Sequence, residues 1–264
     1  MGNQLPNSIE EFLSSYIDQV KALLTTDVLS GIYLYGSIAL HSFNDRKSDI
    51  DFIVLLKRPL ITDEIKALKR LHKSFKKGEF GKRMDGMYLL VKDCGKSNDE
   101  MDAYPYCSEG KIEVGYYDVN AVTWWILEHH GITLHGPKSS ALKIDITWEH
   151  IIENMKYNMN TYWLNKSKNI IPLLSDEMIE FTTVTISRII CSLEERQILS
   201  KEDATEKLLQ TFPERWHLLL KEGLRIRKRP NADSLYSNKI SRAIDCKNFI
   251  IYTHSLCRKK YFAE

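Results

Sequence analysis

The segment from Asp49 to Leu56 constrains the fold of this chain more than any other. Apart from Asp49 and Asp51 it is entirely apolar, which is typical of a strand buried on both faces. A second β-prone apolar segment, Gly31 to Tyr35, precedes it and is ended by Gly36-Ser37. Buried strands need helices packed against them, and Thr62 to Phe75 has the apolar spacing of an amphipathic helix. The first part of the chain therefore predicts a sheet covered by helices.

The spacing of apolar residues changes near residue 146. Before that point the sequence predicts further helices over Ser8–Leu24 and Val119–His130 and further strands over Met87–Val91 and Lys111–Tyr117. After it, nearly every segment has helical periodicity: Trp148–Lys166, Glu177–Gln197, Lys201–Thr211, Glu214–Arg227 and Ser234–Tyr261. We therefore predict an α+β fold, with a domain of strands and helices over residues 1–146, whose sheet is mixed according to the resemblance described below, and an all-α helical bundle over residues 147–264.

Charge and composition narrow the classes of partner. The 264 residues carry a formal net charge of +2, from 37 Lys and Arg against 35 Asp and Glu, so we expect no nucleic-acid partner. No apolar run approaches the roughly 20 residues that span a bilayer, and Met1 to Gln4 begins no signal peptide. We expect a cytoplasmic monomer without a membrane partner.

The residues that indicate chemistry lie at the ends of the first two strands. Asp49 and Asp51 are two apart, so in an extended chain their carboxylates project to one side, about 7 Å apart. Such a pair is costly unless a cation lies between them, and magnesium accepts carboxylate oxygens and completes its shell with substrate phosphates. Gly36 and Ser37 begin a helix after a strand, where backbone N–H groups and a hydroxyl can bind a triphosphate. The combination predicts magnesium-dependent nucleotide transfer.

Nucleotide transfer also needs a base that takes the proton of the attacking hydroxyl. A third carboxylate on a neighbouring strand would serve. Asp85, immediately before the predicted strand Met87–Val91, is the first candidate. Glu113, within the predicted strand Lys111–Tyr117, is the second.

The segment from Gly36 to Phe52, GSIALHSFNDRKSDIDF, resembles the signature of the DNA polymerase β-like nucleotidyltransferases, GS followed after a gap by DxD. The chain as a whole resembles a narrower family, the aminoglycoside adenylyltransferases that modify streptomycin and spectinomycin. Three further segments are similar to that family: His130–Pro137, Thr185–Ile189 and Ile198–Asp203. The resemblance implies a polymerase β-like N-terminal domain and a helical C-terminal domain that contributes to ATP and acceptor binding.

The resemblance also implies roles for individual positions. Gly36, Ser37, Ser48 and Asp49 would contact ATP or its metal, and Asp49 and Asp51 would hold magnesium. These positions therefore imply ATP and magnesium as the cofactors.

Positions farther along the chain match other parts of the family's site. Asp85 stands where the family carries a glutamate as catalytic base, next to the acceptor. Arg188 and Lys201 stand where it carries basic residues that bind the ATP phosphates.

The acceptor implied by the resemblance is an antibiotic rich in hydroxyls and positive charge, whose modification confers resistance. Such a molecule needs carboxylates around it, and Glu180, on the same predicted helix face as Arg188, is a candidate contact. The family's Gly-Glu-Trp segment has Ser108-Glu109-Gly110 as its nearest counterpart, which lacks the tryptophan and favours spectinomycin over streptomycin. Two alternatives remain open: a different acceptor (a lincosamide, a protein or an RNA end), or a non-catalytic nucleotidyltransferase-like binding module.

Overall fold

The structure of the protein, a computed structural model, describes residues 5–262. The expectation about Met1 to Gln4 lies outside these residues. The chain divides into two compact units, with the boundary between Ile146 and Thr147. Within the described residues, no helix is long and apolar enough to cross a membrane.

The first unit contains four α-helices and six β-strands among its described residues. In chain order they are α1 (Asn7–Leu23), β1 (Leu29–Leu34), α2 (Gly36–Ala39), β2 (Ile50–Leu56), α3 (Thr62–Phe75), β3 (Met84–Leu90), β4 (Tyr104–Ser108), β5 (Lys111–Gly115), α4 (Ala121–His130) and β6 (Ile132–His135). Short 3₁₀ turns lie at Phe80–Arg83, Val91–Asp93, Asn98–Glu100 and Ser139–Ala141.

The strands form one mixed sheet in the order β5-β4-β3-β2-β1-β6. β2 and β3 are parallel and are connected through α3, whereas the other neighbours described here are antiparallel. Alternate residues of the central strands, such as Phe52 and Tyr88, join α1 and α3 in the hydrophobic core. The residues between them, which include Asp51 and Asp85, project to the opposite face because side chains alternate along a strand. One face of the sheet therefore stabilises the fold while the other presents the acids.

A chain of buried hydrogen bonds crosses this core. Cys107 Sγ donates its single proton to Met84 O at 3.2 Å, so it accepts from His72 Nδ1 at 3.3 Å. His72 Nε2 then carries no proton and accepts from Tyr88 Oη at 2.7 Å. Tyr88 Oη in turn accepts from Tyr16 Oη at 2.7 Å. In this arrangement His72 is neutral, and burial lowers the pKa of His72 to about 3.

This histidine makes the stability of the first unit depend on pH. Below about pH 6.5 His72 is protonated in the unfolded chain but not in the folded chain. The free energy of unfolding therefore falls as the pH falls, by about 1.4 kcal/mol per pH unit. Between pH 6.5 and 5 the wild type should lose about 2 kcal/mol more than His72→Gln, measured by urea unfolding. His129→Gln is the control: because His129 is exposed, its substitution should leave the pH dependence of the wild type unchanged. An equal pH slope in wild type and His72→Gln would contradict the prediction.

All regular elements of the second unit are helical in the part of the chain that the structure describes. Its elements are α5 (Trp148–Asn158), a π-helical turn (Met159–Trp163), α6 (Leu164–Lys166), α7 (Asp176–Glu195), α8 (Lys201–Thr211), α9 (His217–Lys228) and α10 (Lys239–Lys260), with 3₁₀ turns at Pro172–Leu174 and Glu214–Trp216. The α+β fold with a helical C-terminal part is thereby confirmed.

A buried ionic network connects the helices of the second unit. Glu222 of α9 is fully buried and accepts hydrogen bonds from Arg225 Nε at 2.8 Å and from Arg242 NH1 of α10 at 2.9 Å. Ser234 Oγ and the backbone N–H of Leu235 also donate to this carboxylate, at 2.7 and 3.0 Å. Asp176 at the start of α7 accepts from Arg242 NH2 at 2.7 Å. The network therefore ties α7, α9 and α10 together.

Several element boundaries differ from those predicted by the sequence. β4 and β6 were missed, because Tyr104–Ser108 contains a proline and Ile132–His135 is only four residues long. The third strand begins at Met84 rather than Met87, so Asp85 lies inside the strand and not before it. The fourth predicted strand ends at Gly115 rather than Tyr117.

Candidate functional site

Gly36 links β1 to the short helix α2 in a conformation that only glycine adopts easily. Its φ is +63°, in the left-handed region. A Cβ at this position would overlap Asp51 Oδ2. The backbone N–H of the preceding Tyr35 donates to Asp51 O at 3.1 Å. The Gly-Ser turn is therefore packed directly against the second aspartate of the motif.

Replacing Gly36 with alanine should disturb both the fold and the acids. The left-handed conformation of a non-glycine residue costs about 1 to 3 kcal/mol, and the new methyl group must displace the Asp51 carboxylate. We expect lower stability in urea unfolding together with loss of nucleotide transfer. Gly78→Ala is the matched control, because its Cβ would make only an ordinary contact with Phe75 O at 3.5 Å. Wild-type stability in Gly36→Ala would refute this description of the turn.

Ser37 presents a hydroxyl without a partner among the described residues. Its Oγ is buried and forms no hydrogen bond among residues 5–262. The loop behind it is fixed, since the backbone N–H of Ser42 donates to Ser37 O at 2.9 Å. A buried hydroxyl is costly without a hydrogen bond, and a phosphate oxygen would accept its proton.

The strand register brings together two acids that are distant in sequence. Asp51 of β2 pairs with Asp85 of β3 in the parallel ladder, so their side chains project from the same face of strands about 4.8 Å apart. Asp49, just before β2, is exposed and precedes Asp51 by two residues. Three carboxyl groups thus lie at the start of two neighbouring strands, beside the Gly-Ser turn.

The same register separates the two candidate bases. Glu113 lies on β5, at the edge of the sheet and three strands from β2, which corresponds to about 14 Å at the usual strand spacing. It is exposed and accepts a hydrogen bond from Tyr106 Oη at 2.9 Å. Asp85, directly beside Asp51, is therefore in the better position to act on a substrate held there.

Asp85 is half-buried and has a donor of its own. The backbone N–H of Glu109 donates to Asp85 Oδ1 at 2.7 Å. Burial raises the pKa of Asp85, and the Glu109 N–H and the nearby Tyr117 hydroxyl oppose that rise. A raised pKa brings a carboxylate closer to the range in which a general base works well.

Two tyrosines that the sequence analysis did not select belong to this group. Burial, and then the charge of Asp51, raise the pKa of Tyr35 well above its usual range, with smaller effects from Tyr117, Asp118 and Asp85. Burial and the charge of Asp85 likewise raise the pKa of Tyr117. Both phenols therefore stay protonated beside the acids. The sequence contains a signal for each of them. Tyr117 follows Glu113 by an even number of residues, as residues on one side of a strand do, and Tyr35 directly precedes Gly36.

Ser48 has a structural contact that the sequence did not show. Its hydroxyl oxygen accepts from the backbone N–H of Asn44 at 2.9 Å, and its own N–H donates to Asn44 O at 2.9 Å. These bonds close the loop that leads into β2. A serine hydroxyl that accepts one bond can still donate another, so the loop contact is compatible with a contact to a nucleotide.

The donor set fits magnesium only in combination with a substrate. In the part of the chain that the structure describes, no group of three or more His, Cys, Asp or Glu side chains is arranged to hold a metal by itself. Asp49 and Asp51 together offer carboxylate oxygens, the ligands that magnesium prefers, and this ion normally completes its shell with water and phosphate oxygens.

The second unit holds the remaining predicted site residues. Arg188 is partly buried in α7. Lys201 is the first residue of α8, and its Nζ lies 5.5 Å from the centre of the Phe181 ring. Glu180 forms an ion pair with Arg227, with Oε1 and NH1 3.0 Å apart.

Comparisons with known proteins agree with this architecture. The family model described as "Aminoglycoside adenylyltransferase, C-terminal domain" matches residues 147–251. Among solved structures, the spectinomycin adenyltransferase AAD(9) from Enterococcus faecialis, determined with ATP and spectinomycin, superposes with a TM-score of 0.67. The two chains are 14% identical, and the match covers 92% of this chain and 99% of that one. This likeness establishes a common fold.

No curated protein matches the chain by sequence. The assignment therefore depends on the C-terminal family model, together with a fold that extends over nearly the whole chain. By that match residues 147–251 are similar to the C-terminal domain of the aminoglycoside adenylyltransferases, and the chain as a whole has the fold of a spectinomycin adenyltransferase.

Proposed function

We propose that the protein transfers AMP from ATP to a hydroxyl of an aminoglycoside-type antibiotic in a magnesium-dependent reaction, and thereby confers resistance. The observation that carries this proposal is the β2–β3 register, which pairs Asp51 with Asp85 beside the Gly36-Ser37 turn. Nucleotide transfer requires a phosphate site, a pair of acids and a base, and the closeness of Gly36, Asp51 and Asp85 supports assigning these roles to the residues around them.

In the proposed reaction, Asp85 accepts the proton of the acceptor hydroxyl. The acceptor oxygen forms a bond to the α-phosphorus of ATP as the bond to pyrophosphate breaks. Asp49 and Asp51 would hold magnesium, which when bound supplies positive charge that offsets the charge of the triphosphate. Asp85 is thus expected to contact the acceptor as well as to act as the base.

The proposed ATP contacts are the positions that match the family's site. Gly36, with its neighbour Ser37, and Ser48 would bind phosphate oxygens through N–H and hydroxyl groups. The unsatisfied Oγ of Ser37 supports this role. Arg188 and Lys201 would add the positive charge that a triphosphate needs and that carboxylates cannot supply.

For the acceptor we favour spectinomycin over streptomycin. The turn Ser108-Glu109-Gly110 carries no aromatic side chain where the family has a tryptophan. Glu180 would contact the acceptor while remaining paired with Arg227, which is a way of fixing a carboxylate before a cationic ligand arrives.

The proposal is tested by pyrophosphate release from purified protein with ATP and magnesium. The panel contains spectinomycin, streptomycin, other aminoglycosides and a lincosamide, with Asp49→Ala as the control. Release with spectinomycin that is lost in the variant and on chelation of magnesium would support the proposal. If protein that binds ATP releases no pyrophosphate with any compound of the panel, an antibiotic is refuted as the acceptor.

A further inference from the structure

The two-residue turn that connects β4 to β5 lies against the start of β3. Its residues, Glu109 and Gly110, both have positive φ, +48° and +72°, the combination of a type I′ turn. The N–H of Gly110 donates to Met84 O at 3.0 Å, and the N–H of Glu109 donates to Asp85 Oδ1 at 2.7 Å. Two successive backbone N–H groups of the turn thus bind two successive residues of β3.

This close approach of the turn to β3 requires glycine at position 110. Gly110 is buried, and a Cβ built on it would overlap Gly81 O. The obstacle is a backbone carbonyl, which cannot rotate aside as the end of a flexible side chain can. The φ of +72° at Gly110 disfavours any other residue as well. A side chain at position 110 should therefore push the turn away from β3 and take the Glu109 N–H out of reach of Asp85 Oδ1.

We infer that the β4–β5 turn positions the base of the proposed reaction: the Glu109 N–H fixes Asp85 Oδ1, which leaves Oδ2 to accept the proton of the acceptor hydroxyl. The inference rests on the proposed function. A carboxylate without a fixed partner rotates about its side-chain bonds, whereas a hydrogen bond from a backbone held in place selects one orientation. Glu109 and Gly110 are therefore positioning residues, and neither exchanges a proton with the substrate.

The first test compares Gly110→Ala with Gly115→Ala in the same hairpin. Both variants add one methyl group, but a Cβ on Gly115 would make only an ordinary contact with the Tyr106 ring, at 3.5 Å. Gly110→Ala should lower kcat for AMP transfer by about 10- to 100-fold, the size expected for one hydrogen bond to a charged group. The KM for ATP should not change, because the lost bond serves only the base. Gly115→Ala should retain the wild-type kcat, and a wild-type kcat in folded Gly110→Ala would overturn the inference.

Amide hydrogen exchange tests the contact without depending on activity or on the folding of Gly110→Ala. Glu109 is exposed at the tip of the turn, so Asp85 should be what protects its amide. In Asp85→Ala the Glu109 amide should exchange at least about 10-fold faster than in the wild type, whereas the Gly110 amide, bound to Met84 O, should keep its rate. Equal exchange rates of the Glu109 amide in the two proteins would overturn the inference and leave the proposed function intact. A wild-type protein that transfers no AMP to any acceptor would refute the proposed function, and the positioning role with it.

Discussion

Asp85→Asn should lower kcat for AMP transfer by about 10²- to 10⁴-fold, the usual contribution of a general base. The asparagine keeps the size of the side chain and its contact with the Glu109 N–H, but it cannot accept a proton. The KM for ATP should change little, because Asp49 and Asp51 remain. Steady-state pyrophosphate release measures both quantities.

Glu113→Gln is the comparison that decides between the two candidate bases. Glu113 lies three strands from Asp51, and its carboxylate accepts a hydrogen bond from the hydroxyl of Tyr106. Its substitution should therefore change kcat by less than about threefold. A large loss in Glu113→Gln with a small one in Asp85→Asn would reverse the assignment.

Glu222→Gln should destabilise the second unit by about 3 to 5 kcal/mol, the usual consequence of removing one partner from a buried ion pair. Arg225 and Arg242 are almost fully buried, with exposed side-chain fractions of 4% and 1%. Without the Glu222 carboxylate, the two arginines retain Asp176 as an acidic partner, and the side chain of Asp176 is 47% exposed. Urea or thermal unfolding measures the loss.

The control for this prediction is Glu206→Gln. Glu206 pairs with Lys228, and both side chains are substantially exposed, so its loss should cost less than about 1 kcal/mol. Equal effects of the two substitutions would show that the buried network does not stabilise the unit.

The same network predicts how the second unit responds to acid. Burial by itself would raise the pKa of Glu222, but the hydrogen bonds from Arg225, Leu235, Ser234 and Arg242 outweigh it and lower the pKa to about 2. The folded state thus keeps the carboxylate ionised at a pH where the unfolded chain is protonated. This stabilisation is complete above about pH 4.5 and is lost as the pH falls towards 2. Glu222→Gln should lack that dependence in acid unfolding.

Features that depend on neighbouring residues could be predicted from the sequence. The apolar run of β2 and the Gly36-Ser37 turn follow from the burial of a central strand and the conformational freedom of glycine. The helices α3 and α8 begin and end at the predicted residues. The change from mixed to helical periodicity near residue 146 has the same local origin.

Features that depend on residues distant in the chain were decided by tertiary structure. Asp85 could be nominated from sequence, but only the parallel register of β2 and β3 brings it beside Asp51 rather than leaving Glu113 as its equal. The contact of the Glu109 N–H with Asp85 depends on the hairpin of β4 and β5, and that of Glu222 with Arg242 depends on helices packing in one unit. Periodicity determines which way a side chain points within its own element. Strand order, register and helix packing depend instead on how the whole core is buried, and no local sequence pattern encodes that burial.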